Sequence, residues 1–147
     1  MQAQPVKVGT YNSRAVALAF YRSELWGGVM RAKRAERDSA KQAGSVQKVK
    51  ELEKWGEIQQ DLAHKQVFGS APITNVLGHL APGFPEIARA AGVAVVASDV
   101  QYAGASVQVV DITMHIVEWL KPDARTRAMV EDFLKKNPPP TDAPHRH

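Results

Sequence analysis

The side chains of this sequence that are best suited to metal binding or acid–base catalysis are its histidines. His64, His79 and His115 lie in the main part of the chain, and His145 and His147 lie in the last three residues. No two of the first three have the i, i+4 spacing of zinc ligands on one helix, and no Glu-x-x-His motif occurs. We therefore predict no metal site and no cofactor. We expect His64 and His115 to be interface or partly exposed side chains, whereas the tail pair could bind a metal adventitiously.

Two serines lie beside charged residues, as catalytic nucleophiles often do. Ser13 precedes Arg14 and Ser98 precedes Asp99, but neither serine has a Gly-x-Ser-x-Gly or Ser-x-x-Lys context. No Gly-x-x-x-x-Gly-Lys phosphate loop occurs. The chain contains no cysteine, which excludes thiol nucleophiles, thiolate zinc sites and disulfides. The residues indicate no specific reaction, and we predict a protein that is not an enzyme.

Many of the charged residues are concentrated in the segment from Arg22 to Glu57. The chain has a net charge of +4, from 19 Lys and Arg against 15 Asp and Glu. Mixed ion pairs on a solvated helix face, or a cationic projection that meets an anionic partner, would both explain the segment. No aromatic stacking platform accompanies Arg31 to Lys41, so we predict no specific nucleic-acid binding. The cations of the segment are Arg22, Arg31, Lys33, Arg34, Arg37, Lys41, Lys48, Lys50 and Lys54.

The elements that must position these residues begin with a strand and two long helices. Alternating apolar residues predict a strand over Val6–Tyr11. A helical pattern then runs from Arg14 to Gln42, with a bend or fraying expected at Gly27-Gly28. Ala43-Gly44-Ser45 is a turn signal, and a stripe with helical spacing continues from Val46 to about Gln66. The two helices should form an antiparallel hairpin whose first arm is about 40 Å long and protrudes.

The second half predicts short helices and a pair of strands. Val93–Ala97 is a continuous apolar run, which indicates a buried strand, and Val107–Val110 is its predicted partner. Asp111 and Thr113 should cap a helix, and Tyr102 should close the hairpin between the two strands. The predicted helices are Thr74–Leu80, Pro85–Ala91, Thr113–Leu120 and one that extends from the cap Asp123 to about Lys136.

Three aromatic residues lie on the predicted arms. Tyr21, Trp26 and Trp55 could form the packed seam of the hairpin. They could instead form a wall of aromatic groups that faces a cavity between subunits. The sequence leaves both interpretations open.

Two segments carry a resemblance to a known family. Gly92–Tyr102, followed by a strand and by Asp111-Ile112-Thr113, resembles the C-terminal body of the OmpH/Skp family of periplasmic chaperones. Val6–Val16 is similar to the first strand of that family, which leads into a long helix. The sequence departs from the family in its short hairpin, in the Pro- and Gly-containing insertion 68–91, and in its last helix. The resemblance implies a homotrimer whose helical arms enclose unfolded client proteins.

These observations together predict an α+β fold: a small mixed sheet body, a protruding antiparallel helical hairpin and additional C-terminal helices. We expect residues 1–137 to form a single OmpH/Skp-like domain. Its hairpin arm spans about 14–67, and its body consists of 5–13 and 68–136. Residues 138–147 are predicted to be a disordered tail.

The expected function is that of a non-enzymatic, holdase-like chaperone or client-binding protein. A structural or assembly protein that kept the body but lost client handling is the first alternative. A small-molecule enzyme is the second, with a pocket near His79 or His115 between the insertion and the body. We expect a periplasmic or exported protein whose signal peptide is missing from this sequence, with a cytoplasmic location as the alternative, and no transmembrane segment. The predicted client-binding residues are Leu25, Trp26, Val29, Trp55, Arg31 and Arg34.

Overall fold

A computed structural model describes residues 4–138 of the chain. The predicted tail, apart from Pro138, lies outside the described residues, as do His145 and His147. No described helix is both long and apolar enough to cross a membrane. The elements are β1 (Val6–Thr10), α1 (Ser13–Tyr21), α2 (Glu24–Gln42), α3 (Val46–Phe68), α4 (Thr74–Leu80), a 3-10 turn (Ala81–Gly83), α5 (Phe84–Ala91), β2 (Val95–Ala97), β3 (Val107–Asp111), α6 (Thr113–Trp119) and α7 (Ala124–Lys136).

The three strands form one parallel sheet with β1 in the centre. The strand order is β2-β1-β3, and Val8 lies opposite Val95 on one side and Val109 on the other. The prediction of a mixed sheet with β2 and β3 as partners is therefore wrong, and Tyr102 closes no hairpin but is 62% exposed in the connection 98–106. Strand periodicity shows which residues share a face, but it does not show which strand lies next to which.

One face of the sheet packs against the helices. Val96 and Val110 contact the core from this face, and the same register places Gly9 between them. A Cβ atom on Gly9 would lie 2.7 Å from the side chain of Ile112, so the glycine is what allows Ile112 to pack onto the central strand. Helix α1 is buried almost all round, as its run of Ala, Val and Phe predicts.

The opposite face of the sheet, which we call the valine face, points away from the hydrophobic core of residues 4–138. It consists of Val6, Val8, Val95, Val107 and Val109, none of which belongs to the core. Because β2 and β3 lie on opposite sides of β1, the chain between them must cross the sheet. The connection 98–106 contains no helix, and about half of the surface of Val6 and Val95 remains exposed, at 49% and 48%.

The first long helical pattern is broken at Ser23. The structure has two helices, α1 and α2, where the pattern predicted one, and Gly27-Gly28 lies inside α2. The backbone of Ser23 is extended, its hydroxyl donates to the carbonyl of Phe20 at 2.6 Å and accepts from the amide of Trp26 at 3.4 Å. A serine in this conformation caps a new helix, so the break occurs at the cap and the glycines continue the helix.

Helices α2 and α3 pack against each other after a three-residue turn. Gly44 has a φ of 70° in this turn, a conformation that glycine adopts without strain. The rings of Trp26 and Trp55 stack with centroids 6.2 Å apart, and the ammonium of Lys33 lies 5.2 Å from the ring of Trp55. Of the residues in these two helices only Ala40 and Gln66 are buried, so most of their surface has no cover within the described chain.

Two side-chain hydrogen bonds connect the ends of β1 and β3, and a side-chain cap begins the last helix. The N-cap of α6 is Ile112, which makes no side-chain cap bond. The carboxylate of Asp111 accepts from the amide of Thr113 at 2.8 Å, and the hydroxyl of Thr113 accepts from the amide of Asn12 at 3.0 Å. The carboxylate of Asp123 accepts from the amide of Thr126 at 2.7 Å. The ends of β1 and β3 are therefore tied to each other at the points where their helices begin.

Candidate functional site

An apolar groove of about 570 Å³ lies where α1, α2, α3 and α7 meet. This volume falls in the range of about 300–1,000 Å³ that is typical of ligand-binding pockets. Aliphatic, thioether and aromatic groups from all four helices form its walls. Its main apolar residues are Leu18, Trp26, Met30, Val67, Phe68 and Met129.

Large apolar side chains of the groove are open to solvent. Phe68, the last residue of α3, is 74% exposed, and Met129 on α7 is 38% exposed. A cluster of exposed apolar side chains in a concavity marks an interaction surface more often than isolated exposure does. The methionines add side chains that can adjust to ligands of different shape. The groove can therefore bury apolar groups without a fixed hydrogen-bonding pattern.

A buried polar network holds one wall of the groove in place. Gln66 is 1% exposed, and its Oε1 accepts from the hydroxyl of Tyr21 at 2.6 Å. Its Nε2 donates to the Oδ1 of Asn75 and, at 2.9 Å, to the carbonyl of Pro72. The Nδ2 of Asn75 donates back to the Tyr21 hydroxyl at 3.1 Å. This closed ring fixes α1, α3 and α4 relative to one another, and Tyr21 itself lines the groove.

The groove also has polar lining residues, and none of those described is acidic. The polar ones are Gln59, Gln60, His64 and Arg22. The Nε of Arg22 donates to the hydroxyl of Thr126 at 3.1 Å, and Thr126 is buried. An arginine is therefore held at the edge of an apolar surface.

The carboxyl of Asp123 is close to Arg22 but has another partner. Its pKa is lowered chiefly because it accepts hydrogen bonds from Thr126, and to a smaller degree because of the positive charge of Arg22. Asp123 does not line the groove. Its carboxylate is the N-cap of α7.

The predicted client-binding residues are divided between two sites and the outer surface. Trp26 lines the groove, whereas Trp55 and Arg34 line a smaller cleft of about 380 Å³ further along α2 and α3. Leu25, at 40% exposure, and Val29 line neither. Arg31 forms an ion pair with Glu24, which lowers the pKa of Glu24 and raises that of Arg31.

Sequence reasoning missed Phe68 and Met129 as groove residues. The sequence analysis places Phe68 in the insertion 68–91 and Met129 within the last predicted helix, without a binding role for either. The structure keeps Phe68 in α3 and leaves Met129 partly exposed. The helical spacing of Met129 was visible in the sequence, but its position opposite α3 depends on how the helices pack.

Another cleft, separate from the groove and from the cleft lined by Trp55 and Arg34, lies where the enzyme alternative would place an active site. It has a volume of about 360 Å³ and lies between α5 and α6, with Glu86, His115 and Glu118 in its lining. Both carboxylates have partners: Glu86 accepts from the indole N–H of Trp119 at 3.2 Å, and Glu118 accepts two bonds from Arg127, which lower the pKa of Glu118. No group of three potential metal ligands occurs among the described residues.

The other histidines do not add to this cleft. The ring of His79 packs beside that of Phe20, with centroids 5.2 Å apart. His64 belongs to the rim of the apolar groove. The structure therefore does not bring His64, His79 and His115 together into one site.

No family model, curated protein or solved structure matches this chain.

Proposed function

We propose that the protein is a non-enzymatic, holdase-like client-binding protein of the OmpH/Skp type. The observation that carries this proposal is the apolar groove, with Phe68 and Met129 exposed at its mouth. Unfolded chains present apolar side chains in many sequences, so a surface that binds them must rely on apolar burial more than on directional hydrogen bonds. The groove has this character.

We further propose that the protein acts as a homotrimer assembled through its sheets. The valine face supports this part of the proposal, because parallel sheets are nearly always covered on both faces. Its five valines carry no charge, and every copy of the chain presents the same apolar surface. Burial of this apolar surface between copies of the chain would stabilise the assembly by about 25 cal/mol per Å².

The arms of the proposed trimer are α2 and α3, arranged as a protruding antiparallel hairpin. With 19 and 23 residues, they would extend about 29 and 35 Å at a rise of 1.5 Å per residue. Their low burial and the three-residue turn between them support this arrangement. We propose the periplasm or another exported location for the protein, in line with the family that it resembles.

The proposal is tested by the aggregation of an unfolded outer-membrane protein. Multi-angle light scattering first gives the mass of the purified protein, and turbidity then reports client aggregation. We expect a trimer that suppresses aggregation at one trimer per client. Phe68→Gln combined with Met129→Gln should abolish most of the suppression, whereas Val46→Gln, which removes an apolar side chain of 65% exposure outside the groove, should not. Absence of suppression at several-fold excess would contradict the proposal.

A structural or assembly role is the second candidate, and the length of the arms favours it. Arms of about 30 Å enclose little space, so a trimer could form without holding a client. This candidate predicts a trimer by light scattering that leaves client aggregation unchanged. The same two measurements therefore separate the two functions.

A further inference from the structure

We propose that Arg22 makes the groove selective for client segments in which a carboxylate lies next to apolar residues. This inference rests on the proposed client-binding function and names the substrate class of that same groove. The partner is an apolar peptide segment that carries Asp or Glu at one end. The argument combines the position of Arg22, the charges around it and the state of the other cations on the helices.

Arg22 is positioned by a buried partner. It lies between α1 and α2 and lines the groove together with Trp26 and Met129. Its Nε donates to Thr126, which is 1% exposed, and this bond orients the guanidinium. Among the described residues no other hydrogen bond or ion pair uses its two terminal nitrogens. Those nitrogens carry four of the five N–H donors of the group, and a carboxylate can bind them in bidentate fashion.

The charges around the groove favour an acidic ligand. The described lining contains one arginine and no carboxylate. Asp123 is a nearby acidic residue whose carboxylate caps α7 by accepting from Thr126. Its negative charge is shared between two cations, Arg22 and Arg125, so one carboxylate faces two positive charges. A carboxylate in the groove would therefore meet attraction from Arg22, whereas an ammonium group would meet repulsion. The apolar walls would exclude part of the water and so strengthen both effects.

The cations of α2 are less suited to this role. Arg31 is paired with Glu24, Lys33 lies 3.8 Å from Glu36, and Arg37 lies 3.9 Å from Asp38. These three pairs lie within α2. Arg34 lines the smaller cleft, whose lining also contains Glu53 and Glu57, and Lys41 lies in the last turn of α2, outside the groove lining. The acidic group of a client is therefore expected to bind at the base of the helical pair, where Arg22 lies beside the apolar walls, and not along the outer part of α2.

Three matched peptides test the inference. They share one apolar sequence and a fluorophore, and they differ at a single position that is Glu, Gln or Lys. Fluorescence anisotropy gives their affinities for the full-length wild type, for Arg22→Gln and for the control Arg31→Gln. For the wild type at low salt, we expect the Glu peptide to bind about three- to fivefold more tightly than the Gln peptide, a ratio typical of partly exposed ion pairs. The Lys peptide should bind more weakly than either.

The variants and a salt titration identify the group responsible. Arg22→Gln should remove the preference for the Glu peptide, and Arg31→Gln should retain it. Since Arg22→Gln also removes the bond to Thr126, a thermal melt must show that the variant is folded. If it is not, the salt dependence of the wild type replaces it: raising salt should reduce the preference for Glu without weakening the Gln peptide.

The outcomes distinguish this inference from the proposed function. Equal binding of the Glu and Gln peptides by a wild type that suppresses client aggregation would overturn the role of Arg22 and leave the proposed function in place. A Glu preference that survives in folded Arg22→Gln, or that does not change with salt, would also overturn it. If no peptide binds and aggregation is not suppressed, both proposals fail.

Discussion

The ring of hydrogen bonds around Gln66 allows a prediction with a defined pH dependence. Gln66→Glu replaces the Nε2 donor with an oxygen that would face two acceptors, the carbonyl of Pro72 and the Oδ1 of Asn75. A flip of the Asn75 amide would relieve one of these contacts at the cost of its bond to Tyr21. The carbonyl of Pro72 is part of the backbone and cannot be turned in this way. The substitution therefore introduces a buried carboxyl group that favours its protonated form.

The size of the effect follows from burial and from the number of lost partners. Gln66→Leu, which removes both functions of the amide, should cost about 2–4 kcal/mol at every pH, because about 1–3 kcal/mol is lost for each buried group left unsatisfied. For Gln66→Glu the folded-state pKa of the introduced carboxyl lies above its unfolded value of about 4.3. Its charge penalty is therefore absent below that pH and grows by about 1.4 kcal/mol per pH unit above it, up to about 3.7 kcal/mol at pH 7 if the folded pKa is 7 or higher.

Urea unfolding at a series of pH values between 4 and 7.5 measures this difference directly. Gln60→Glu serves as a matched control, because Gln60 lies on the same helix and is exposed. We expect the free energy of unfolding of Gln66→Glu to fall relative to Gln66→Leu as pH rises, while that of Gln60→Glu follows the wild type. The same destabilisation of Gln66→Glu at pH 4.5 and pH 7.5 would show that the ring is not closed as described.

Three further predictions concern stability. Gly83→Ala should destabilise the fold by about 1–3 kcal/mol in chemical unfolding, because a Cβ there would lie 2.2 Å from the indole of Trp119; a neutral result would contradict the close packing. Gly28→Ala should raise the free energy of unfolding by about 0.5–1 kcal/mol, because Gly28 lies inside α2 and the new methyl group would meet only the Arg31 side chain, at 3.8 Å. A loss of stability would argue for a break at the glycines. Asp123→Ala should lower the melting temperature at pH 7. The difference in melting temperature from the wild type should shrink as pH falls below 3.8, because the pKa of Asp123 is lowered in the folded protein and the stability that its carboxylate contributes is lost on protonation. A difference that stays constant to pH 2 would refute this reasoning.

Local patterns in the sequence predicted most of the helices. The apolar stripe that begins at Val46, the short helix Thr74–Leu80 and the last helix after the cap Asp123 are all present in the structure. Each of these depends on spacing or capping within a few residues. The break at Ser23 was also encoded locally, because a serine followed by Glu24 is typical of a helix N-terminus. The prediction instead expected a bend at Gly27-Gly28, because glycine has a low helix propensity.

The arrangement of strands could not be predicted in the same way. Both outer strands pair with β1, although β2 and β3 are neighbours in the sequence and were expected to pair. The choice depends on the crossover of 98–106 and on helices that occupy one face of the sheet. The groove has the same origin, since Phe68 and Met129 are far apart in the chain and line one groove only because α3 and α7 both pack beside α1.

The order of residues was sufficient to predict most of the helices and their apolar faces, and it contains none of the usual sequence motifs for catalysis or metal binding. These properties depend on interactions between residues a few positions apart. Packing in three dimensions determined which strands are neighbours, which apolar side chains remain uncovered, and which arginine lies beside them. Those properties depend on contacts between distant parts of the chain, and the periodicity of neighbouring residues does not predict which of these contacts are the most stable.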